Sequence, residues 1–188
     1  MASTPRLAPL PEAQWDDAVR DALSPLLPPE RANPVDAGNV VGTLARHPDL
    51  ARAYLHFNAH LLLKSTLSAR VREVAVLRAA LLRGSDYLWE HHIPLAERAG
   101  LTAADIEGIR VGSPTADEDR LVVRAVDELE RDSTLADDTW NALRQHFDER
   151  QVLDLMFTAG CYALLAVAVN TLRVEAEEPR QAAEAPPR

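Results

Sequence analysis

The sequence predicts an all-α fold, and three observations carry that prediction. Only seven of the 188 residues are glycine, while Ala, Leu, Arg and Glu are abundant, a balance that favours helix. Apolar residues recur at intervals of three and four between recognisable start and stop residues. No stretch shows the two-residue alternation of a strand, and no usable internal repeat is found.

Residues 1–11 read as a Pro-rich arm, and roughly 12–23 as an amphipathic helix with Trp15, Val19 and Ala22 at helical spacing. SPLLPPERANP breaks it, and so proline-dense a connector is expected to be a loop packed over a pocket mouth. Residues 1–38 thus form an arm, helix and loop ahead of a helical domain expected over 39–175. Residues 39–47 predict a short helix stopped by Pro48. A longer one follows over 49–64, with Leu50, Tyr54, Phe57 and Leu61 on one stripe.

Residues 68–101 organise the rest. Ser68 suits a helix N-cap, Arg83-Gly84-Ser85 a tight turn with Ser85 capping the next helix, and Gly100 a second stop. Thr102 to Asp105 starts a short helix in capping-box style, and Thr115 to Glu118 launches another to about Arg131. Residues 133–139 are expected to open a helix carrying Trp140, Leu143 and Phe147. The final helix, about 149–175, is apolar around its circumference and must be covered by a core or a subunit interface, of which the interface is expected. Residues 176–188 lose periodicity and gain proline, as a disordered tail would.

The length fits one domain with a substantial core. A net charge of −9 argues against nucleic acid, whose phosphates need a cationic surface. Cys161, the single cysteine, can form neither an internal disulfide nor an internal dithiol. The N-terminus lacks the apolar core of a secretion signal, and the nearly uncharged run 155–169 falls short of the ~20 residues that span a bilayer. A soluble cytoplasmic protein without a membrane partner is expected.

Within the 68–101 hairpin lie Glu73, His91 and His92. Glu73 precedes Gly84 by eleven residues and His92 follows it by eight, so in a folded-back pair their heights differ by only about 4.5 Å. A buried acid and imidazole must pair or hydrogen-bond, which suits a structural pair and equally a site for proton transfer. His56 and His60 have the i, i+4 spacing of a metal face but no glutamate following His56. No metal is expected, and a metal-dependent enzyme using His56, His60 or His92 stands as an alternative. Ser85 and His92 lie about 10.5 Å apart along one helix, too far for a hydrolase pair, and no G-x-S-x-G elbow accompanies them.

The segment L-x-x-x-x-R-E-x-x-x-L-R-x-A, Leu67 to Ala80, followed by SDYLWEHHIPLAERAGL, resembles the carboxymuconolactone decarboxylase and alkylhydroperoxidase D-like family. The similarity takes in the His47-Pro48 break, the Trp140 helix, and Tyr162 and Asn170. It implies an alkylhydroperoxidase D-like helical bundle assembled as a homo-oligomer, with the final apolar helix in the core or the subunit interface. Peroxidase members carry a glutamate, a C-x-x-C pair and a histidine, and these positions fall here on Glu73, Ser85, Leu88 and His92. With no sulfur at Ser85 or Leu88, thiol peroxidase activity is not expected.

Tyr87 to His92 is similar to the Y-x-W-x-x-H variant of the non-thiol branch, which works by moving protons. The resemblance therefore implies a cofactor-independent lyase or isomerase acting on a small carbonyl or carboxylate compound such as a lactone. Glu73 and His92 are its expected acid–base pair, and Tyr87, Trp89, His91, His60 and Arg70 are candidates to bind substrate, with Arg78 a further carboxylate partner. A non-catalytic ligand-binding or structural oligomer on the same scaffold is the alternative.

Overall fold

A computed structural model of the chain describes residues 4–177, and every regular element among them is helical. In order these are α1 (Asp17–Leu23), α2 (Pro34–Leu44), α3 (Pro48–Ala59), α4 (Ala69–Leu82), α5 (Asp86–Arg98), α6 (Ala103–Val111), α7 (Asp117–Asp132), α8 (Asp137–His146) and α9 (Glu149–Leu172). α4 is the centre. Its residues from Val71 to Ala80 are almost all buried, because α5, α6, α7 and α9 pack around it. Each fully buried Val or Leu on it contributes about 1.5–3 kcal/mol.

The helix covered on all sides is therefore α4, whereas α9 is covered on part of its circumference. α9 packs on α4, α7 and α8, and Leu153, Phe157, Leu164 and Val167 on its outer face are each about half exposed. The run 155–169 belongs to a 24-residue helix that is long and apolar enough to cross a bilayer by length and composition. Packing inside the fold buries 61% of its most apolar window, which accounts for its composition.

Local chemistry explains where elements begin and end. Asp16 accepts from the Val19 N–H and so starts α1 late, leaving Glu12–Gln14 as a separate 3-10 turn. Asn33 caps α2 with Pro34 as its first residue, five residues before the expected start. The helical path breaks inside it at Gly38, whose φ of 72° and ψ of 173° are essentially confined to glycine. α3 runs into a π-helical turn, His60–Lys64. Ser68 caps α4 through the Val71 N–H, and Gly84 turns the chain at φ 58°.

Three expected caps are absent. Ser85 stands at the N-cap of α5 without a side-chain cap bond, and its buried hydroxyl has no partner among the described residues. α7 starts after Ala116 without a side-chain cap. Ser133 ends α7 in the left-handed conformation, so α8 begins only at Asp137. The Thr102–Asp105 capping box is present, and Asp148 with Gln151 forms another at α9, which the left-handed Arg173 terminates.

The N-terminal arm packs on the bundle. The Arg6 and Leu10 N–H groups donate to the carbonyls of Leu172 and Gly42, and Leu10, Trp15, Val19, Leu23 and Leu27 form a second small core with Leu55. Ala176 and Glu177, expected in the disordered tail, follow the α9 turn back onto the protein; the remainder of that tail, 178–188, lies outside the described residues.

Candidate active site

The α4–α5 hairpin sets Glu73 opposite His92. His92 Nδ1 lies 2.7 Å from Glu73 Oε2, with side chains only 7% and 1% exposed. Arg72 Nε donates to the other carboxylate oxygen at 3.3 Å. A carboxylate can only accept, so this contact assigns the ring proton to Nδ1 and leaves Nε2 as the free lone pair. Among the described residues Nε2 takes no hydrogen bond. The Tyr162 ring meets the imidazole edge-on, with centroids 5.0 Å apart at 88°. Burial, then the nearby Glu73 charge, pushes the Tyr162 phenol well up and keeps it protonated.

His92 lines a cavity of about 260 Å³ formed between α5, α3, α2, α9 and the Leu26-Leu27 stretch of the proline-rich loop. Its walls are mostly aliphatic, and its polar groups are His92, His91, Tyr87, Tyr54, Asn58, Tyr162, Asp36 and Glu177. Glu73 does not line it and stands behind His92. A larger depression of about 550 Å³ beside α7 is lined by Arg124 and by charges that pair, Arg120 with Asp117 and Arg131 with Asp132.

Of the sequence candidates, Tyr87 and His91 join His92 in the cavity, stacked on each other at 5.4 Å. Arg70, His60 and Trp89 do not. Arg70 donates to Asp119 at 2.6 Å and to the Gly100 carbonyl at 3.0 Å, tying α4 to α7. His60 Nε2 faces Asp154 at 3.1 Å in a separate depression. Trp89 is buried away from the cavity with the Arg110 guanidinium 4.3 Å above its ring. Arg78 forms a fork on Asp127 and donates to the carbonyls of Ile109 and Arg110, a structural clamp. His56 is exposed, and among the described residues no three His, Cys, Asp or Glu side chains converge as a metal site would need.

Cys161 sits behind the cavity, with Asn58 Nδ2 donating to its sulfur at 3.7 Å and its own S–H directed at the Tyr54 hydroxyl at 3.7 Å. Burial pushes its thiol up despite those two bonds, which disfavours the thiolate. The sequence pattern places Tyr54 on a core stripe and does not mark Asn58 as a cavity residue. Their shared i, i+4 spacing on α3 was the available signal. Glu177 gave none.

Residues 48–130 match the profile of the carboxymuconolactone decarboxylase family. The matched segment spans α3 to most of α7, and so holds Glu73, Tyr87, His91 and His92. No curated protein sequence matches the chain.

Solved structures extend the likeness beyond the segment. An uncharacterized peroxidase-related protein from Ralstonia eutropha JMP134, an alkylhydroperoxidase AhpD core, superposes with a TM-score of 0.73 at 18% identity, covering 94% of this chain and 95% of its own. A peroxidase-related protein from Silicibacter sp. TM1040 gives 0.70 at 17% identity, with 92% and 89% covered. A debrominase in complex with 2,3,4-tribromopyrrole gives 0.67 at 15% identity, with 94% of each chain covered. At these identities the shared property is the AhpD-like fold.

Proposed function

We propose that this carboxymuconolactone decarboxylase relative is a cofactor-independent proton-transfer enzyme, a decarboxylase or related lyase or isomerase, acting on a small carbonyl or carboxylate compound such as a lactone. One observation carries the reading: His92 reaches an aliphatic-walled cavity while its far nitrogen is fixed at 2.7 Å by a buried carboxylate. Glu73 holds the tautomer and stabilises the imidazolium, acting as a positioning residue. His92 Nε2 exchanges the proton. In a decarboxylation the C–C bond to the carboxylate breaks, its electron pair enters the conjugated carbonyl, and CO₂ leaves. The enolate carbon then takes a proton from the His92 imidazolium, formed when the bare Nε2 picks up a proton from solvent before the bond breaks. An isomerisation runs the ring first as base and then as acid. The aliphatic walls lower the local dielectric and so strengthen charge interactions along them.

Thiol peroxidase chemistry is not part of this reading. The family's sulfur positions hold Ser85 and Leu88, and Cys161 is buried and hydrogen-bonded. We also propose a soluble, cytoplasmic homo-oligomer. The exposed Leu153, Phe157, Leu164 and Val167, with Phe57 edge-on to Phe157 at 6.0 Å, supply an apolar face for a second copy.

One observation favours a second reading, a binding module without chemistry: both Glu73 oxygens are engaged by protein groups and neither reaches the cavity. Mass spectrometry of molecules retained by the purified protein, followed by solvent-deuterium uptake into compounds related to any hit, separates the two. Uptake that disappears in His92→Gln supports the enzyme. Tight binding with no uptake supports the module.

A further inference from the structure

The cavity already holds a carboxylate, and it is the protein's own. After α9 the left-handed Arg173 turns the chain, and the Asn39 side-chain amide donates to the Glu175 carbonyl at 2.9 Å, holding the returning segment. Glu177 then enters the cavity wall. Its Oε1 accepts from the Tyr87 hydroxyl at 2.6 Å and from the Asn39 backbone N–H at 2.8 Å, and its Oε2 lies 3.7 Å from His91 Nδ1.

The cradle is built around this group. A Cβ on Gly38 would come within 2.8 Å of Glu177 Oε1, so the glycine both permits the backbone break and leaves room for the oxygen. Burial pushes the Glu177 carboxyl up, and the bonds from Tyr87 and Asn39 outweigh it and hold the group below the usual carboxylate range. The phenol is pushed up by burial and by Glu177, and so remains a donor.

We propose that Tyr87, His91 and the Asn39 N–H form a carboxylate-binding subsite at the cavity mouth, and that the Glu177 segment fills it until a small carboxylate ligand displaces it. The proposed enzyme reading is used only in taking that ligand as substrate. Three groups that bind one carboxylate suit another of the same charge, and Tyr87 and His91 share α5 with His92 within two turns. A ligand carboxylate seated there extends its body over aliphatic walls towards His92. Displacement lowers the apparent affinity by the fraction of molecules whose subsite is free.

Benzoate, with benzamide as its neutral counterpart, tests the subsite by calorimetric titration of the full chain, of a chain ending at Ala176, and of Glu177→Gln. Benzoate is expected to bind about tenfold tighter to the shortened chain and to Glu177→Gln than to the unaltered protein. Benzamide affinity should be equal in all three. Tyr87→Phe in the shortened chain should remove the benzoate preference. Equal benzoate affinity with and without Glu177, or benzamide binding as tightly as benzoate, overturns the proposal. His92→Gln should leave benzoate binding in place; loss of proton exchange in that variant concerns the enzyme reading and not the subsite.

Discussion

His92 Nδ1 and Glu73 Oε2 stand 2.7 Å apart across the α4–α5 seam, and only His92 reaches the cavity. That asymmetry divides the labour: the histidine meets a ligand, and the glutamate acts through it. A carboxylate behind an imidazole fixes which nitrogen carries the proton and stabilises the ring when both do.

Glu73→Gln should lower turnover by about 10²–10⁴-fold with little change in KM, since the uncharged amide no longer stabilises an imidazolium. Glu73→Asp should restore part of the rate. A structural role for Glu73 would instead lower the melting temperature and leave the turnover of the folded enzyme unchanged.

Gly38→Ala should destabilise the fold by about 1–3 kcal/mol, because alanine avoids the φ 72°, ψ 173° conformation. Part of that loss is the collision with Glu177. Urea denaturation of Gly38→Ala in the full chain and in one ending at Ala176 should therefore show a smaller loss in the shortened protein.

Asp154 accepts from the Thr66 N–H at 2.6 Å and the Thr66 hydroxyl at 2.8 Å, and faces His60. Burial pushes its carboxyl up, but the bonds from Thr66, His60 and Ser65 prevail and its folded-state value is depressed. A depressed carboxyl adds stability that is present above its unfolded value and is lost as pH falls through the folded one. Asp154→Asn should thus cost about 1–3 kcal/mol at neutral pH. In chemical denaturation the gap between variant and unaltered protein should narrow as pH falls below the ordinary aspartate value, about 3.9.

Arg78 is buried among Asp127 and two backbone carbonyls. Its replacement by methionine should cost about 3–5 kcal/mol, because Asp127 and both carbonyls lose their donor. Denaturation midpoints check this, and ligand affinity in the folded fraction should be unaffected.

Much of this arrangement was legible in the sequence. The hairpin followed from Ser68, Gly84 and Gly100, and the closeness of Glu73 and His92 from the helical rise either side of one turn. The division between them was not, because spacing gives a helical face but not which of two paired groups borders a void. Arg70 and His60 read as available charges, since their partners Asp119 and Asp154 lie far along the chain. Helix starts failed where serine or threonine was taken for a cap and the chain instead used the backbone bend at Ala116 or the left-handed turn at Ser133. Glu177 was beyond reach: its place depends on the α9 turn at Arg173 and the gap left by Gly38, neither of which has a signature in a proline-rich, aperiodic tail.

The most direct test of the central claim needs no substrate. Nitrogen-15 NMR of histidine-labelled protein at neutral pH, with His92→Gln used to assign the signal, reports which ring nitrogen of His92 bears the proton. The account predicts Nδ1 protonated and Nε2 bare, with Glu73→Gln disturbing that signal. A proton resident on Nε2, unmoved by Glu73→Gln, would contradict it.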